Sequence, residues 1–66
     1  MKNEVIRYRK SLRMTQEDLA KKLGVTRQTI ISIEQGKYIA SLTLALKMSK
    51  IFKANVDEIF ILEEDD

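Results

Sequence analysis

The stretch "GVTRQTIISIEQGKY", Gly24 to Tyr38, decides how the chain is read. Wound as a helix at ~100° per residue, it places Ile30, Ile33 and Glu34 on one side, with Thr29 at the edge. The opposite side carries Arg27, Gln28, Ile31, Ser32 and Gln35. Burial against a core accounts for the first face. The second is left to water or to a partner. Thr26 stands where an N-cap is expected, and Gly36 follows as a left-handed C-terminal stop.

The flanking sequence carries the same kind of punctuation. Thr15 precedes "QEDLAKKL", with Asp18 three residues on, as at a helix start that favours an acid in its first turn. Upstream, "NEVIRYRKSLR" makes a first helix with Val5, Arg9 and Leu12 on one side. Downstream, Ser41 precedes "LTLALKMSKIF", and Asn55 with Glu58 forms a capping-box-like pair before "VDEIF". The expected helices lie near 3–12, 16–23, 27–35, 42–52 and 56–61, with ends good to ~2–4 residues. For "IFIL", Ile59 to Leu62, a short extended strand is the alternative. One domain is expected over residues 1–62, with 63–66 as an acidic tail.

Two charges sit in apolar positions. Glu34 lies on the core side of the third helix, and Arg9 lies between Val5 and Leu12 on the first. A bidentate Arg9–Glu34 pair joining the two helices resolves both anomalies. The competing reading is two side chains that snorkel to solvent without meeting.

Composition narrows the function. The 66 residues contain no cysteine and no histidine, which excludes a disulfide framework, a Cys-type zinc site and a histidine general base. No Ser/His/Asp set or Gly-rich phosphate loop is present, so an enzyme is not expected, and neither is a cofactor. No apolar run approaches the ~20 residues of a membrane span. The start, "MKNEVIRYRK", is too charged for a signal peptide, so a cytosolic chain is expected. Through Lys50, eleven Lys or Arg stand against four acids, a net +7; from Ile51 on, Lys53 stands alone against six acids, a net −5. A basic body with an acidic end suits a polyanion binder, and equally a solvated mixed surface.

From Gln16 to Gln35 the apolar positions Leu19, Leu23, Val25, Ile30 and Ile33 stand in register with Ala20, where two helices cross closely, and Gly24 at the turn. With "MTQEDLAKKLGVTRQTIISIEQGKY" followed by "SLTLALKMSKIF" and "VDEIF", the chain resembles the phage-repressor-like helix-turn-helix proteins of the Xre or Cro type, and within them the very small regulators. The resemblance spans Val5 to Phe60. It implies an all-α, compact five-helix lambda-repressor-like domain, with the helix-turn-helix at 16–35, acting as a transcriptional regulator, in the first place a repressor. Among departures, Ala40 stands where proline is frequent, and Arg13 and Lys53 where glycine is common.

What the resemblance implies for the site follows position by position. Thr26 matches a cap that reaches a phosphate, Arg27, Gln28, Ile31 and Ser32 match base-reading positions, Gln16 matches a phosphate contact, and Lys37 and Tyr38 match the backbone-gripping loop. The side-chain chemistry agrees: Arg suits guanine O6/N7, Gln suits adenine N6/N7, and Ile packs on a thymine methyl. Tyr38 has a second reading, as a lid over the core.

Helix 4 is apolar on more than one side. Leu42, Ala45, Leu46, Ser49 and Phe52 are taken as its inward stripe, leaving Leu44, Met48 and Ile51 opposite. With Ile59, Phe60, Ile61 and Leu62 these form the expected homodimer surface, the acidic tail projecting beyond. The alternative folds helix 5 and the tail over that stripe within one chain. The expected partners are double-stranded DNA, as a near-palindromic operator, and a second copy, with no membrane and no small-molecule effector. A different class of function keeps the fold: an antitoxin-type protein-interaction module that binds DNA secondarily.

Overall fold

The computed structural model, covering residues 1–66, runs β1 (Lys2–Asn3), α1 (Val5–Ser11), α2 (Gln16–Leu23), α3 (Arg27–Glu34), α4 (Leu42–Phe52), α5 (Val56–Ile59) and β2 (Phe60–Ile61). Side chains start the helices. Thr15 and Asp18 close a capping box, the Asp18 N–H donating to Thr15 Oγ1 at 3.0 Å and the Thr15 N–H to Asp18 Oδ2 at 2.9 Å. The Thr15 N–H foremost, and then the Thr15 hydroxyl, hold the Asp18 carboxyl below the usual carboxylate range. Thr26 and Ser41 each accept from the N–H three residues on. At α5 the Glu58 carboxylate accepts the Asn55 N–H at 2.9 Å.

Four helices also stop alike. Backbone bonds from Met14 N to Arg9 O, Val25 N to Ala20 O, Lys37 N to Ser32 O and Ala54 N to Ser49 O each close a Schellman-type turn. The residue inside each turn has positive φ: Arg13 (58°), Gly24 (72°), Gly36 (74°) and Lys53 (53°). Glycine fills two of these sites without steric cost, while Arg13 and Lys53 hold the left-handed conformation against a Cβ penalty.

The architecture is the expected five-helix one, with a two-stranded sheet added. The strand alternative for the C-terminal segment is realised in β2, which pairs antiparallel with β1 in the register Lys2↔Ile61 and Asn3↔Phe60. Residues 3–4 do not join the first helix, although the sequence leads one to expect them there. They are instead extended or capping, because the Val5 N–H bonds to Asn3 Oδ1 and the Glu4 N–H to the Ile59 carbonyl. The acidic end turns back rather than projecting: the Asp66 N–H bonds to the Glu63 carbonyl, and Asp66 Oδ1 lies 3.4 Å from the Met1 amino group.

Val5, Leu19, Ala20, Leu23, Ile30 and Ile33 form the core between α1, α2 and α3, and the corner residue Val25 packs against it. α4 corrects the sequence reading. Leu44, Ala45, Met48 and Phe52 are buried and Ile51 half-buried, whereas Leu42 is 73% and Leu46 50% exposed. The inward stripe thus lies a little over a quarter of a turn from the one expected. Phe52, on the edge shared by both stripes, stacks on Tyr8 with ring centroids 5.5 Å apart. Ile59 is also fully buried, so Leu44, Met48 and Ile59 belong to the protomer core and not to a dimer surface. Leu12, the residue that caps the end of α1, is 46% exposed instead of lining its apolar side.

Candidate nucleic-acid interface

The two misplaced charges meet. Arg9 Nε donates to Glu34 Oε2 at 2.6 Å and Nη2 to Oε1 at 3.3 Å, with side chains 10% and 4% exposed. The third guanidinium nitrogen donates to the Met14 carbonyl at 2.9 Å, so one side chain ties α1, the α1–α2 turn and the end of α3. The pair also neutralises the one acid of α3, leaving the outward face of that helix without negative charge.

On that face Arg27 and Gln28 are exposed, and Ile31 and Ser32 are half-buried but reachable. Thr26 caps the helix in an extended conformation, its hydroxyl 3.1 Å from that of Thr29. Past the Gly36 turn, Lys37 and Tyr38 swing back beside the helix. Thr26, Gln28, Thr29, Ser32, Lys37 and Tyr38 together line an open polar groove of about 300 Å³. Tyr38 is 49% exposed there and is absent from the core cluster, which favours its surface reading over the lid.

Arg27 and Ile31 stand outside the groove on the adjoining helical surface. Gln16 is set apart too: its Nε2 donates to Glu34 Oε1 at 3.0 Å, which fixes the amide on the ion pair and leaves one N–H free. Sequence reasoning missed Thr29, placed at the edge of the core stripe. Its signal was the spacing to Ser32, one helical turn on, and to the Thr26 cap. Hydroxyls, an amide, a phenol and an ammonium around a groove, without an acid, make a donor-rich cradle for phosphate oxygens. No group of three His, Cys, Asp or Glu residues is placed to hold a metal ion.

A second feature lies on the continuation of the same loop. Ile39, Ala40 and Leu42 face Phe60, Ile61 and Leu62 across an apolar groove of about 710 Å³. Ile39 and Leu62 are 67% and 76% exposed. Of the residues expected at a dimer surface, Leu62 is exposed, Ile61 is half-buried at the groove, and Ile51 and Phe60 are half-buried against the core. No helix is long and apolar enough to cross a membrane.

Comparison with known proteins identifies what this geometry belongs to. Residues 5–59 match the helix-turn-helix family model. Over 66 residues the chain is 58% identical to a protein of Methanocaldococcus jannaschii named as an uncharacterized HTH-type transcriptional regulator, with both chains fully covered. A protein of the same description from Archaeoglobus fulgidus is 44% identical over 66 residues, covering all of this chain and 93% of that one. One from Bacillus subtilis is 46% identical over 65 residues, with 98% of each chain covered.

Proposed function

The chain belongs to the helix-turn-helix family of transcriptional regulators, DNA-binding proteins rather than enzymes, and from that premise we propose that it binds a specific duplex as a repressor. α3 enters the major groove. Arg27 and Gln28 reach base edges first, with Ile31 and Ser32 one turn on. Thr26, Thr29, Lys37 and Tyr38 take the phosphate backbone, and Gln16 offers its free amide N–H to a neighbouring phosphate. The observation that carries this reading is that one continuous donor-rich surface joins the start of α3 to Lys37 and Tyr38.

The protein acts as a homodimer across the apolar groove. Ile39, Leu42 and Leu62 are too exposed for a chain this short to leave in water, and they adjoin the DNA loop directly. To read two half-sites one DNA turn apart, such a dimer must hold its α3 helices about 34 Å apart, a span of the same order as the protomer's own 32 × 23 × 20 Å. Such a dimer reads a near-palindrome in the cytoplasm and represses by occupying it.

Selection of bound sequences from a random duplex pool tests this reading. The expected outcome is enrichment of a near-palindrome with half-sites about 10 base pairs apart. Recovery of no common sequence at low salt contradicts it, and binding only when a second protein is supplied supports the antitoxin-type alternative.

A further inference from the structure

Asn3 connects β1 to the end of the recognition helix. Its Nδ2 donates to the Ile33 carbonyl at 2.8 Å, while its Oδ1 accepts the Val5 N–H at 3.1 Å. The Ile33 carbonyl is no ordinary acceptor, because the Gly36 N–H bonds to the same oxygen at 2.9 Å in the turn that ends α3. The Lys37 N–H completes that turn on the Ser32 carbonyl at 3.0 Å. The residue before β1 also approaches the turn closely, since a Cβ on Gly36 would lie 3.3 Å from the Met1 carbonyl oxygen.

The geometry points to Asn3 as a positioning residue for the DNA backbone: by holding the Ile33 carbonyl it fixes the turn that aims Lys37 and Tyr38 at phosphate. This rests on the reading that those two side chains grip DNA. Gln35, Gly36, Lys37 and Tyr38 are all exposed, so packing does little to restrain them. Gly36 at φ 74° gives the turn its shape, but glycine also leaves it wide conformational freedom. A donor from outside the turn removes that freedom, and Asn3 is anchored to supply one. Its backbone is paired with Phe60, and its own Oδ1 is committed to Val5. The side chain is thus held from both sides, with its amide N–H directed at Ile33. Asn3 reaches the C-terminal end of α3, and Arg27 and Gln28 stand at the other end. Its influence therefore falls on phosphate grip and leaves base preference intact.

The separating variant is Asn3→Ser. A serine hydroxyl can still accept the Val5 N–H locally but is too short to reach Ile33. Affinity for a selected operator and for a random duplex is titrated against salt for wild type, Asn3→Ser, Lys37→Ala and the double variant, with folding checked by circular dichroism. Lys37→Ala is expected to lower the salt slope by about one unit. Asn3→Ser is expected to weaken both duplexes by one common factor, about two- to tenfold, and to reduce the slope. In the double variant the two losses should add to less than their sum. Additive losses, or a lower Tm with wild-type affinity and slope, overturn the assignment and leave Asn3 a folding residue only. An unchanged slope in Lys37→Ala removes the phosphate reading itself, and the assignment with it. If Asn3→Ser does not fold, Asn3→Thr suits the strand better and serves the same comparison with the same outcomes.

Discussion

α3 and α4 follow one another in the chain, yet the sequence specifies the orientation of one and not of the other, because α4 is far richer in apolar residues. In α3 only one arc is apolar enough to bury, with Glu34 on it neutralised by Arg9, so burying Ile30 and Ile33 leaves Arg27 and Gln28 outside. In α4 two overlapping arcs, each of about 120°, are apolar enough to bury. One is Ile51, Leu44, Met48, Phe52 and Ala45; the other is Phe52, Ala45, Ser49, Leu42 and Leu46. Phe52 and Ala45 belong to both. Tertiary packing decides between them: Leu44 and Met48, found on one arc only, join Ile59 in the core. A helix declares its buried face only when its polarity is one-sided. Otherwise a surplus apolar face, here Leu42 and Leu46, stays exposed on the protomer.

The comparison can be broken most forcefully at the ion pair that seats α3. Arg9→Ala strands a buried carboxylate and leaves the Met14 carbonyl without its donor, and should cost about 3–5 kcal/mol in a urea melt. A loss within ~0.5 kcal/mol, the usual effect of a surface change, would mean that α3 does not depend on Arg9.

The two arcs of α4 can be set against each other next. Met48→Ala should cost about 2–5 kcal/mol of protomer stability. Leu42→Ala should leave the protomer within about 0.5 kcal/mol but shift sedimentation toward monomer at micromolar concentration. The reverse pattern would restore the orientation first read from the sequence.

Smaller effects sharpen the contrast at the helix ends. Lys53→Gly removes a left-handed Cβ penalty at the end of α4 and should raise stability by up to about 1 kcal/mol. Any destabilisation in its melting curve would argue that the lysine side chain stabilises that turn. At the start of α2, folding lowers the Asp18 pKa, so the contribution of this carboxylate is present above its unfolded value of ~3.9 and lost as pH falls through the folded one. Asp18→Asn should therefore flatten the pH–Tm profile below about pH 4. An unchanged profile would remove the capping-box interpretation.

How much was legible follows the range of each interaction. The caps at Thr15, Thr26 and Ser41, and the turns at Gly24 and Gly36, are local, and they placed the helix-turn-helix to within a residue. The Arg9–Glu34 pair spans 25 positions but announced itself as two opposite charges on apolar stripes. β1 carried no such sign. Two residues are too few to alternate, and what holds them is pairing with Phe60 and Ile61 at the far end of the chain. The bond from Gln16 to Glu34 was not legible, because it exists only once α2 crosses α3. Thr29, half-buried, fell between the two faces. Ile39 was passed over because no periodic pattern includes a loop residue.

The most direct test of base reading by α3 compares wild type and Arg27→Ala on the selected operator and on random duplex at one fixed salt concentration. Arg27→Ala is expected to lose about 1–3 kcal/mol on the operator, relax preference at one base pair, and lose far less on random DNA. Equal losses on both duplexes would contradict base reading by α3 and reduce its polar face to a sequence-blind phosphate contact.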